Sequence, residues 1–249
     1  MSEERVAILA PRSAIAGALM AQLHERGVAV AAIGRAVDGL AAPGVAWRAV
    51  CDLTDFDAVA GALAEAKKQL GGLTGIVNCS GSILLKPAHL TSRADFDHTM
   101  DANLVTAFAA VRSAKAVFGS EGGSAVLVSS AAASFGMGNH EAIAAAKGAI
   151  EGLVRSAAAT YAPSGIRFNA VAPGLVETPL SQSITAAPAS RKLSESLHPL
   201  GQLGRPEDIA SAIAWLLDPA QRWVTGQVLG VDGGLSRLQP RPRMSPASS

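Results

Sequence analysis

Short segments that are apolar throughout recur along this chain, and segments of helical length separate most of them. A strand without polar alternation is typical of a parallel sheet, because the crossover helices of such a sheet cover both of its faces. The sequence therefore predicts an α/β fold with a doubly wound, seven-stranded parallel sheet in a single domain. The predicted strands are 5–9, 28–33, 45–51, 75–78, 125–128, 166–171 and 228–231.

Five helices are predicted between these strands, and one long segment has no regular pattern. The predicted helices are 15–26, 55–70, 95–118, 141–161 and 206–217. Residues 181–203 are polar and irregular, which is typical of a lid or substrate loop, and His198 within them is expected to be solvated. The domain is expected to span 1–238, and the Pro- and Ser-rich segment 239–249 is predicted to be a disordered tail.

Length and composition exclude several classes of protein. The chain has 249 residues and a formal net charge of +1, so no nucleic-acid partner is expected. No apolar run is long enough to span a bilayer, so no membrane partner is expected either. The first residues do not resemble a secretory signal, and Cys51 and Cys79 have no metal-ligand spacing. Reduced, buried thiols and a cytoplasmic location are therefore predicted, without a metal site.

Polar or turn-forming residues directly follow several of the predicted strands. They are Arg35, Asp52, the segment 78–81, Ser130 and the pair Pro173-Gly174. The carboxyl ends of parallel strands meet at one edge of the sheet, and ligands bind there. The sequence therefore predicts a small-molecule site at this edge, with helix 141–161 and its Lys147 as one wall.

The order and spacing of these motifs resemble the short-chain dehydrogenase/reductase family over residues 5–235. Asn78-Cys79-Ser80-Gly81 is similar to the family's Asn-Asn-Ala-Gly turn, and Asp52-Leu53 is similar to the pair that contacts adenine. Asn103 matches the asparagine in the middle of a long helix, Ser130 the serine that polarises the substrate, and Lys147 the catalytic lysine. The resemblance implies a Rossmann-type fold and a nicotinamide dinucleotide as cofactor.

Residues after the sixth predicted strand extend this resemblance. The segment 169–174 is similar to the family's strand-to-loop signature, and Thr178 matches the threonine that contacts the nicotinamide carboxamide. The resemblance thus implies one set of cofactor contacts around the edge of the sheet. They are Ser13, Ile15, Arg35, Asp52, Leu53, Asn78, Ser80, Gly81, Lys147, Pro173, Gly174, Val176 and Thr178.

The first turn departs from the family pattern. The family has Thr-Gly-x-x-x-Gly-x-Gly there, and in this chain Ala10, Ala14 and Ala16 stand at the three glycine positions. Glycine permits positive φ and a close approach of the backbone to the pyrophosphate, so a methyl at each position narrows that approach. Pro11 also removes one amide donor. Two interpretations stay open, namely a dinucleotide bound in altered geometry and a turn that binds no phosphate.

The second departure lies between Ser130 and Lys147. The family places a tyrosine thirteen residues after the serine and four before the lysine, and this chain has Ile143 there. In the family that tyrosine donates a proton to a carbonyl oxygen, and the lysine lowers its pKa. Isoleucine has no proton to donate. Tyr161, the only tyrosine in the chain, lies too far along the helix to replace it.

His140 is the one titratable residue near the position of the missing tyrosine. It precedes Lys147 by seven residues, the spacing at which the enoyl-acyl carrier protein reductases of this family carry their tyrosine. Histidine titrates near neutral pH and can act as an acid or a base. The alternative is a solvent-exposed histidine at a helix start, with Asn139 as the N-cap. The resemblance therefore implies Ser130, Lys147, Asn103 and His140 as catalytic candidates.

Arg35 bears on the choice of cofactor. An arginine after the second strand can bind the 2′-phosphate of NADP, whereas an acidic residue would bind a ribose hydroxyl of NAD. NADP is therefore the predicted cofactor and NAD the alternative, unless Arg35 is simply a solvated loop residue. By resemblance the chain is also expected to form a homo-oligomer, a dimer or a homotetramer, through helices 95–118 and 141–161.

Three functions are compatible with these residues. The first is an NAD(P)-dependent oxidoreductase with an altered catalytic site, in which His140 or a water held by Asn103 and Lys147 handles the proton. Its substrate would be a small carbonyl or alcohol or an activated C=C compound. The second is a non-catalytic homologue that acts as a binding or scaffold subunit, and the third is a cofactor-independent lyase or isomerase. The retained polar residues favour the first, and the two departures favour the second.

Overall fold

Seven parallel strands form one sheet in the computed structural model, which describes residues 4–37, 40 and 42–239. The strands are β1 (Arg5–Leu9), β2 (Ala29–Gly34), β3 (Val45–Val50), β4 (Gly75–Asn78), β5 (Gly123–Val128), β6 (Ile166–Pro173) and β7 (Val228–Val231). Their order across the sheet is β3-β2-β1-β4-β5-β6-β7, with every neighbouring pair parallel. The predicted doubly wound Rossmann-type sheet is therefore confirmed. The predicted tail after residue 239 lies outside the described residues.

Helices cover both faces of this sheet. They are α1 (Ala14–Glu25), α2 (Phe56–Leu70), α3 (Arg93–Met100), α4 (Thr106–Phe118), α5 (Glu141–Tyr161), α6 (Gln182–Thr185), α7 (Pro188–Leu197) and α8 (Pro206–Leu217). The single helix predicted over 95–118 is in fact α3 and α4, joined by a π-helical turn at Asp101–Val105. It begins earlier than predicted because Ser92 and Asp95 form a capping box at its N-terminus.

Two hydrophobic cores lie on opposite faces of the sheet. Helices α2, α4 and α5 pack on one face, and α1 and α8 pack on the other. Successive side chains of β1 alternate between them, with Ala7 and Leu9 in the first core and Val6 and Ile8 in the second. Because both faces are covered, the open edge at the carboxyl ends of the strands is the place left for a ligand.

The segment 181–203 is helical, and the prediction that it is irregular is wrong. It contains α6 and α7, and α7 begins with Pro188 at its first position, where the missing amide proton costs nothing. Arg191 pairs with Glu195 one turn later, which adds local support to a helix that has few apolar residues. His198, expected to be solvated, is only 4% exposed at the end of this helix.

Two further features of the described residues concern function classes. No helix among them combines the length and apolar character that a bilayer crossing needs. Within residues 4–37, 40 and 42–239, no cluster of three histidine, cysteine or carboxylate side chains is placed to hold a metal ion. Cys51 and Cys79 are both buried and unpaired, as predicted.

Candidate active site

One cavity of about 500 Å³ opens at the carboxyl ends of the central strands. It is bounded by the turn between β1 and α1, the ends of β4 and β5, one face of α5 and the segment after β6. The sequence-predicted residues that line it are Ser13, Ile15, Arg35, Ser80, Gly81, Ser130, Lys147, Pro173, Gly174, Val176 and Thr178. Residues that are far apart in the chain are therefore brought to one surface.

Lys147 lies on the face of α5 that turns toward this cavity. Its side chain is buried, and Nζ donates a hydrogen bond of 2.8 Å to the carbonyl oxygen of Val128 at the end of β5. Burial disfavours the charged ammonium and lowers the pKa of Lys147 from 10.5 to about 8. An ammonium has three N–H donors, so two are left for other partners. The cavity thus holds a cation that can give up its proton close to neutral pH.

Ile143 precedes Lys147 by one helical turn and lines the same cavity. It is 4% exposed, so the side chain is packed between the helix and the cavity wall rather than open to solvent. Side chains four residues apart lie on the same face of a helix. The space next to the Lys147 ammonium is therefore occupied by an aliphatic group without a proton to donate.

Ser130 lies just after β5 and lines the cavity. Its Oγ accepts a hydrogen bond of 3.2 Å from the amide of Ala132, which fixes the orientation of the side chain. The hydroxyl proton is left to donate. Ser130 can therefore offer a hydrogen bond to an oxygen atom of a bound molecule.

Asn103 lies behind the cavity in the π-helical turn and is fully buried. Its Nδ2 donates to the carbonyl oxygen of Thr99 at 2.8 Å and to the hydroxyl of Ser82 at 3.1 Å. A methyl group on Gly81 would lie 3.1 Å from Asn103 Oδ1 and 3.4 Å from Lys147 Nζ. Asn103 and Lys147 therefore flank the backbone of Gly81, and this position tolerates no side chain without displacement of one of them.

Ser82 lines the cavity, and the sequence reasoning missed it. Its hydroxyl is held by Asn103, and its amide donates to Asn103 Oδ1 at 3.4 Å. The available signal was its position immediately after the Asn78–Gly81 turn, at the end of a strand.

The turn between β1 and α1 has an unusual backbone at its start. Ala10 adopts φ 59, in the left-handed region that favours glycine. Ser13 caps α1, and its Oγ accepts from the amide of Ala16 at 3.1 Å. The amides of Ala14 and Ile15, at the first two helical positions, have no acceptor within the helix, and both residues line the cavity. This helix end can therefore bind an anion.

Comparison with known proteins places this geometry in a family. The family model described as Enoyl-(Acyl carrier protein) reductase matches residues 9–236. A solved structure from Mycobacterium ulcerans, described as a short-chain type dehydrogenase/reductase, is 30% identical with a TM-score of 0.87 and covers 96% of this chain and 93% of its own. The chain belongs to the short-chain dehydrogenase/reductase family. This is a family of oxidoreductases that use NAD(P).

This short-chain dehydrogenase/reductase is similar to two relatives whose names differ in whether they state an activity. It is 37% identical to cis-4-hydroxycyclohexanecarboxylate dehydrogenase of Sinomonas cyclohexanicum, with coverage of 94% of this chain and 98% of the relative. It is 35% identical to inactive 2-(S)-hydroxypropyl-CoM dehydrogenase 2 of Xanthobacter autotrophicus strain Py2, with coverage of 78% and 86%. One similar protein is thus named for an activity and another for the lack of it.

The alanine turn of this short-chain dehydrogenase/reductase leaves more room for a dinucleotide than the sequence indicates. Ala10 and Ala14 line the cavity, so their methyl groups do take up space beside the helix end. Ala16 instead is fully buried in the core between α1 and the sheet, so the expectation that all three methyl groups narrow the approach is wrong. The free amides of the first helical turn and this cavity together fit a pyrophosphate.

We expect Ala10→Gly to raise the free energy of unfolding by up to about 1 kcal/mol. The substitution removes the backbone strain of a left-handed alanine from the folded state, and this gain exceeds the extra conformational entropy that glycine gives the unfolded chain. Ala16→Gly makes the same chemical change in the interior of α1 and is expected to lower the free energy of unfolding by about 1 kcal/mol. Urea denaturation of both variants measures this. The same sign for both would contradict the strain at Ala10.

Five of the predicted residues do not line the cavity, namely Asn78, Leu53, Asp52, Asn103 and His140. Asn78 holds the cavity-lining Ser80 in place, because its Oδ1 accepts a hydrogen bond from the amide of Ser80 while its Nδ2 donates to Thr106. Leu53 is buried in the core beside β3. Asp52 accepts hydrogen bonds from the amide and hydroxyl of Thr54, which lower its pKa, with a smaller contribution from Arg35. Asn103 holds Ser82 as described above.

The structure also places His140 away from the cavity-lining residues. It is the N-cap residue of α5, and its Nδ1 lies 2.7 Å from the carbonyl oxygen of Gly138, to which the ring N–H donates. The prediction of Asn139 as the N-cap is wrong, because Asn139 adopts a left-handed φ of 63, which asparagine tolerates, and His140 is the residue directly before Glu141, the predicted and observed start of the helix. The two-turn spacing to Lys147 therefore does not bring His140 to the site.

Cys79 lines the cavity beside Ser13 and Lys147. Burial raises the pKa of its thiol to about 12, against the opposing effects of a hydrogen bond to Ser13 and the charge of Lys147. The thiol is therefore neutral at ordinary pH. Since the thiolate is the nucleophilic form of cysteine, Cys79 packs in the wall and does not attack a substrate.

Proposed function

We propose that this protein is an NAD(P)-dependent oxidoreductase with an altered catalytic site, acting on a small carbonyl or alcohol or an activated C=C substrate. The observation that carries the proposal is the single cavity that joins the anion-binding end of α1 and Arg35 to Ser130 and Lys147. One end of the cavity has the chemistry for a phosphorylated cofactor, and the other has two proton-bearing groups for a reacting oxygen.

The dinucleotide would be held along the edge of the sheet. The amides of Ala14 and Ile15 would bind the pyrophosphate at the positive end of α1. Arg35 would bind the 2′-phosphate of NADP, and Lys147 would reach the nicotinamide ribose. Residues of the segment after β6, among them Thr178, would contact the nicotinamide. When bound, the nicotinamide supplies a hydride for reduction or accepts one for oxidation.

The chain's own residues then handle the oxygen atom of the substrate. Ser130 donates a hydrogen bond that polarises the carbonyl group. Lys147 would give a proton from Nζ to that oxygen during reduction, and the neutral amine would afterwards be reprotonated from solvent. A water beside Asn103 can relay this proton. Lys147 is preferred to His140 in this role because Lys147 lines the cavity and its pKa of about 8 suits proton transfer.

This assignment makes the site atypical for the family. By resemblance, Ile143 holds the place of the catalytic tyrosine, and the alanines of the first turn hold the places of glycines. The proton is then donated by a lysine that would otherwise act through the tyrosine. Such a site would be slower than one with a tyrosine, since the ammonium must serve both as cofactor contact and as acid.

Replacing Arg35 by alanine is expected to weaken NADPH binding about tenfold and to leave NADH binding unchanged, because only NADPH carries the 2′-phosphate. Isothermal titration of the wild type and the variant with both dinucleotides measures this. Arg93→Ala, which removes an exposed arginine of α3 that does not line the cavity, is the matched control. The absence of heat and of a thermal shift with either dinucleotide in the wild type would overturn the proposal.

A non-catalytic binding or scaffold protein is the second candidate function. Two observations favour it, namely the aliphatic Ile143 beside Lys147 and the similarity to a relative that is named inactive. Dinucleotide binding without turnover of any carbonyl or alcohol probe would support it. Binding together with turnover would exclude it.

We also propose that the protein is a cytoplasmic homo-oligomer, a dimer or tetramer formed through α4 and α5. Phe108 on α4 is 45% exposed although it stacks on Phe56 of α2, so an apolar surface is open on this side. Free, buried Cys51 and Cys79 suit a reducing compartment. Native mass spectrometry with Phe108→Arg as the disrupting variant tests the oligomer.

A further inference from the structure

His198 joins the end of α7 to the segment that follows β6. Its Nδ1 lies 2.7 Å from the carbonyl oxygen of Ser194, which can only accept, so Nδ1 carries a proton. Its Nε2 lies 3.2 Å from the amide of Leu175, which can only donate, so Nε2 carries none. The ring is 4% exposed. These two contacts define a single neutral tautomer.

The amide that His198 accepts from belongs to the wall of the active-site cavity. Gly174, Leu175 and Val176 all line that cavity, directly after the last residue of β6. The ring packs so closely that a methyl group on Gly174 would lie 2.7 Å from Nε2. The position of the α7 end is therefore coupled through one side chain to the cavity wall.

Two carboxylates of other elements line a cavity that His198 also lines. This cavity of about 240 Å³ shares Gly174 and Leu175 with the active-site cavity, and its titratable lining residues are His198, Asp208 of α8 and Asp232 in the turn after β7. Burial opposes ionisation of Asp232, but the hydrogen bonds that it accepts from Ser236 and from the amide of Gly234 outweigh this and lower its pKa. The remaining lining residues are uncharged. A protonated His198 ring would therefore have the Asp232 carboxylate close to it.

We propose that His198 is a positioning residue, which in its neutral form holds Leu175 and the cavity wall in the geometry that the cofactor requires and releases them when it is protonated. A protonated Nε2 cannot accept from the Leu175 amide, and two N–H groups would then face each other. The nearby carboxylates give the imidazolium alternative partners. The effect on cofactor binding rests on the proposed function. The hydrogen bond between His198 and the Leu175 amide does not depend on that function.

Hydrogen–deuterium exchange of the free protein tests the hydrogen bond without any cofactor. Protection of the peptide containing Leu175 is expected to fall at least about tenfold between about pH 8 and about pH 5.5, after correction for intrinsic exchange. His198→Gln keeps an uncharged acceptor and should retain protection at both pH values. His198→Phe keeps the ring volume without an acceptor and should show low protection at both. Peptides of β1 report whether each variant is folded.

Titration with NAD⁺ tests the consequence for the cofactor. NAD⁺ is the probe because the 2′-phosphate of NADP itself titrates near pH 6. The wild-type affinity is expected to fall about tenfold across this pH interval, and the affinity of His198→Gln is expected to stay level. Wild-type protection that is independent of pH, or full protection in a folded His198→Phe variant, would overturn the proposal. If neither NAD⁺ nor NADP⁺ binds at any pH, the proposed function fails, and the exchange experiment still decides the role of His198.

Discussion

Replacing Lys147 by methionine is expected to lower the rate of carbonyl reduction by a factor of about 10² to 10⁴, the range that a positioned general acid contributes. Methionine keeps the length and burial of the stem and removes the ammonium. With Ile143 beside it, no other cavity-lining side chain that we place near the reacting oxygen titrates close to neutral pH. Single-turnover reduction of cyclohexanone, a small ketone probe, with saturating NADPH measures the effect.

The pH dependence of the wild type provides an independent check of the same role. The pKa of Lys147 in the folded protein is about 8, so the protonated acid is lost above that value. Reduction is therefore expected to be level below about pH 8 and to fall about tenfold per unit above it, while oxidation shows the opposite dependence. His140→Ala is the control and should leave both the rate and the profile unchanged. A profile that follows His140 instead would overturn the assignment.

The free energy of unfolding is also expected to depend on pH because of Lys147. The folded-state pKa is lowered below the ordinary value of 10.5, so the folded protein binds fewer protons than the unfolded chain between the two values. The penalty for burying the ammonium is fully present below about pH 8 and disappears as the pH rises toward 10.5. The free energy of unfolding of the wild type is therefore expected to rise over this interval, and that of Lys147→Met is expected to lack this rise.

The sheet could be predicted from the sequence because its central strands are buried on both faces. Val6 to Leu9 alternate between two cores, so every position had to be apolar, and the pattern was continuous. The position of the candidate site at the carboxyl ends of the strands followed from the parallel topology of the sheet alone. Residues at strand exits, such as Arg35 and Ser130, therefore fell on one cavity as predicted.

Features that depend on one backbone torsion or one long-range contact could not be predicted in this way. The left-handed φ of Asn139 excludes it as the N-cap and leaves His140 directly before α5, so the two-turn spacing between His140 and Lys147 does not bring His140 to the cavity. The burial of His198 depends on contacts with Leu175 and Gly174, more than twenty residues earlier in the chain. Nothing in the local composition of a polar, lid-like segment indicates such a contact.

The two candidate functions are separated most sharply at Ile143. Replacing Ile143 by tyrosine is expected to raise the rate of carbonyl reduction about 10²-fold, because a phenol would stand one helical turn from Lys147 on the cavity-lining face of α5. The ammonium would lower the pKa of that phenol and prepare it to donate a proton. Ile143→Phe is the matched control, since it adds the same ring without the hydroxyl group.

A gain with tyrosine and none with phenylalanine would show that Ser130, Lys147 and the cofactor site are still arranged for reduction around a missing acid. If neither variant gains activity although both bind NADPH and unfold at the same urea concentration as the wild type, the remaining residues do not align a substrate with the nicotinamide. That outcome would favour the binding or scaffold function. The same substitution therefore distinguishes a slow enzyme that uses its lysine as the acid from a homologue that has lost the reaction.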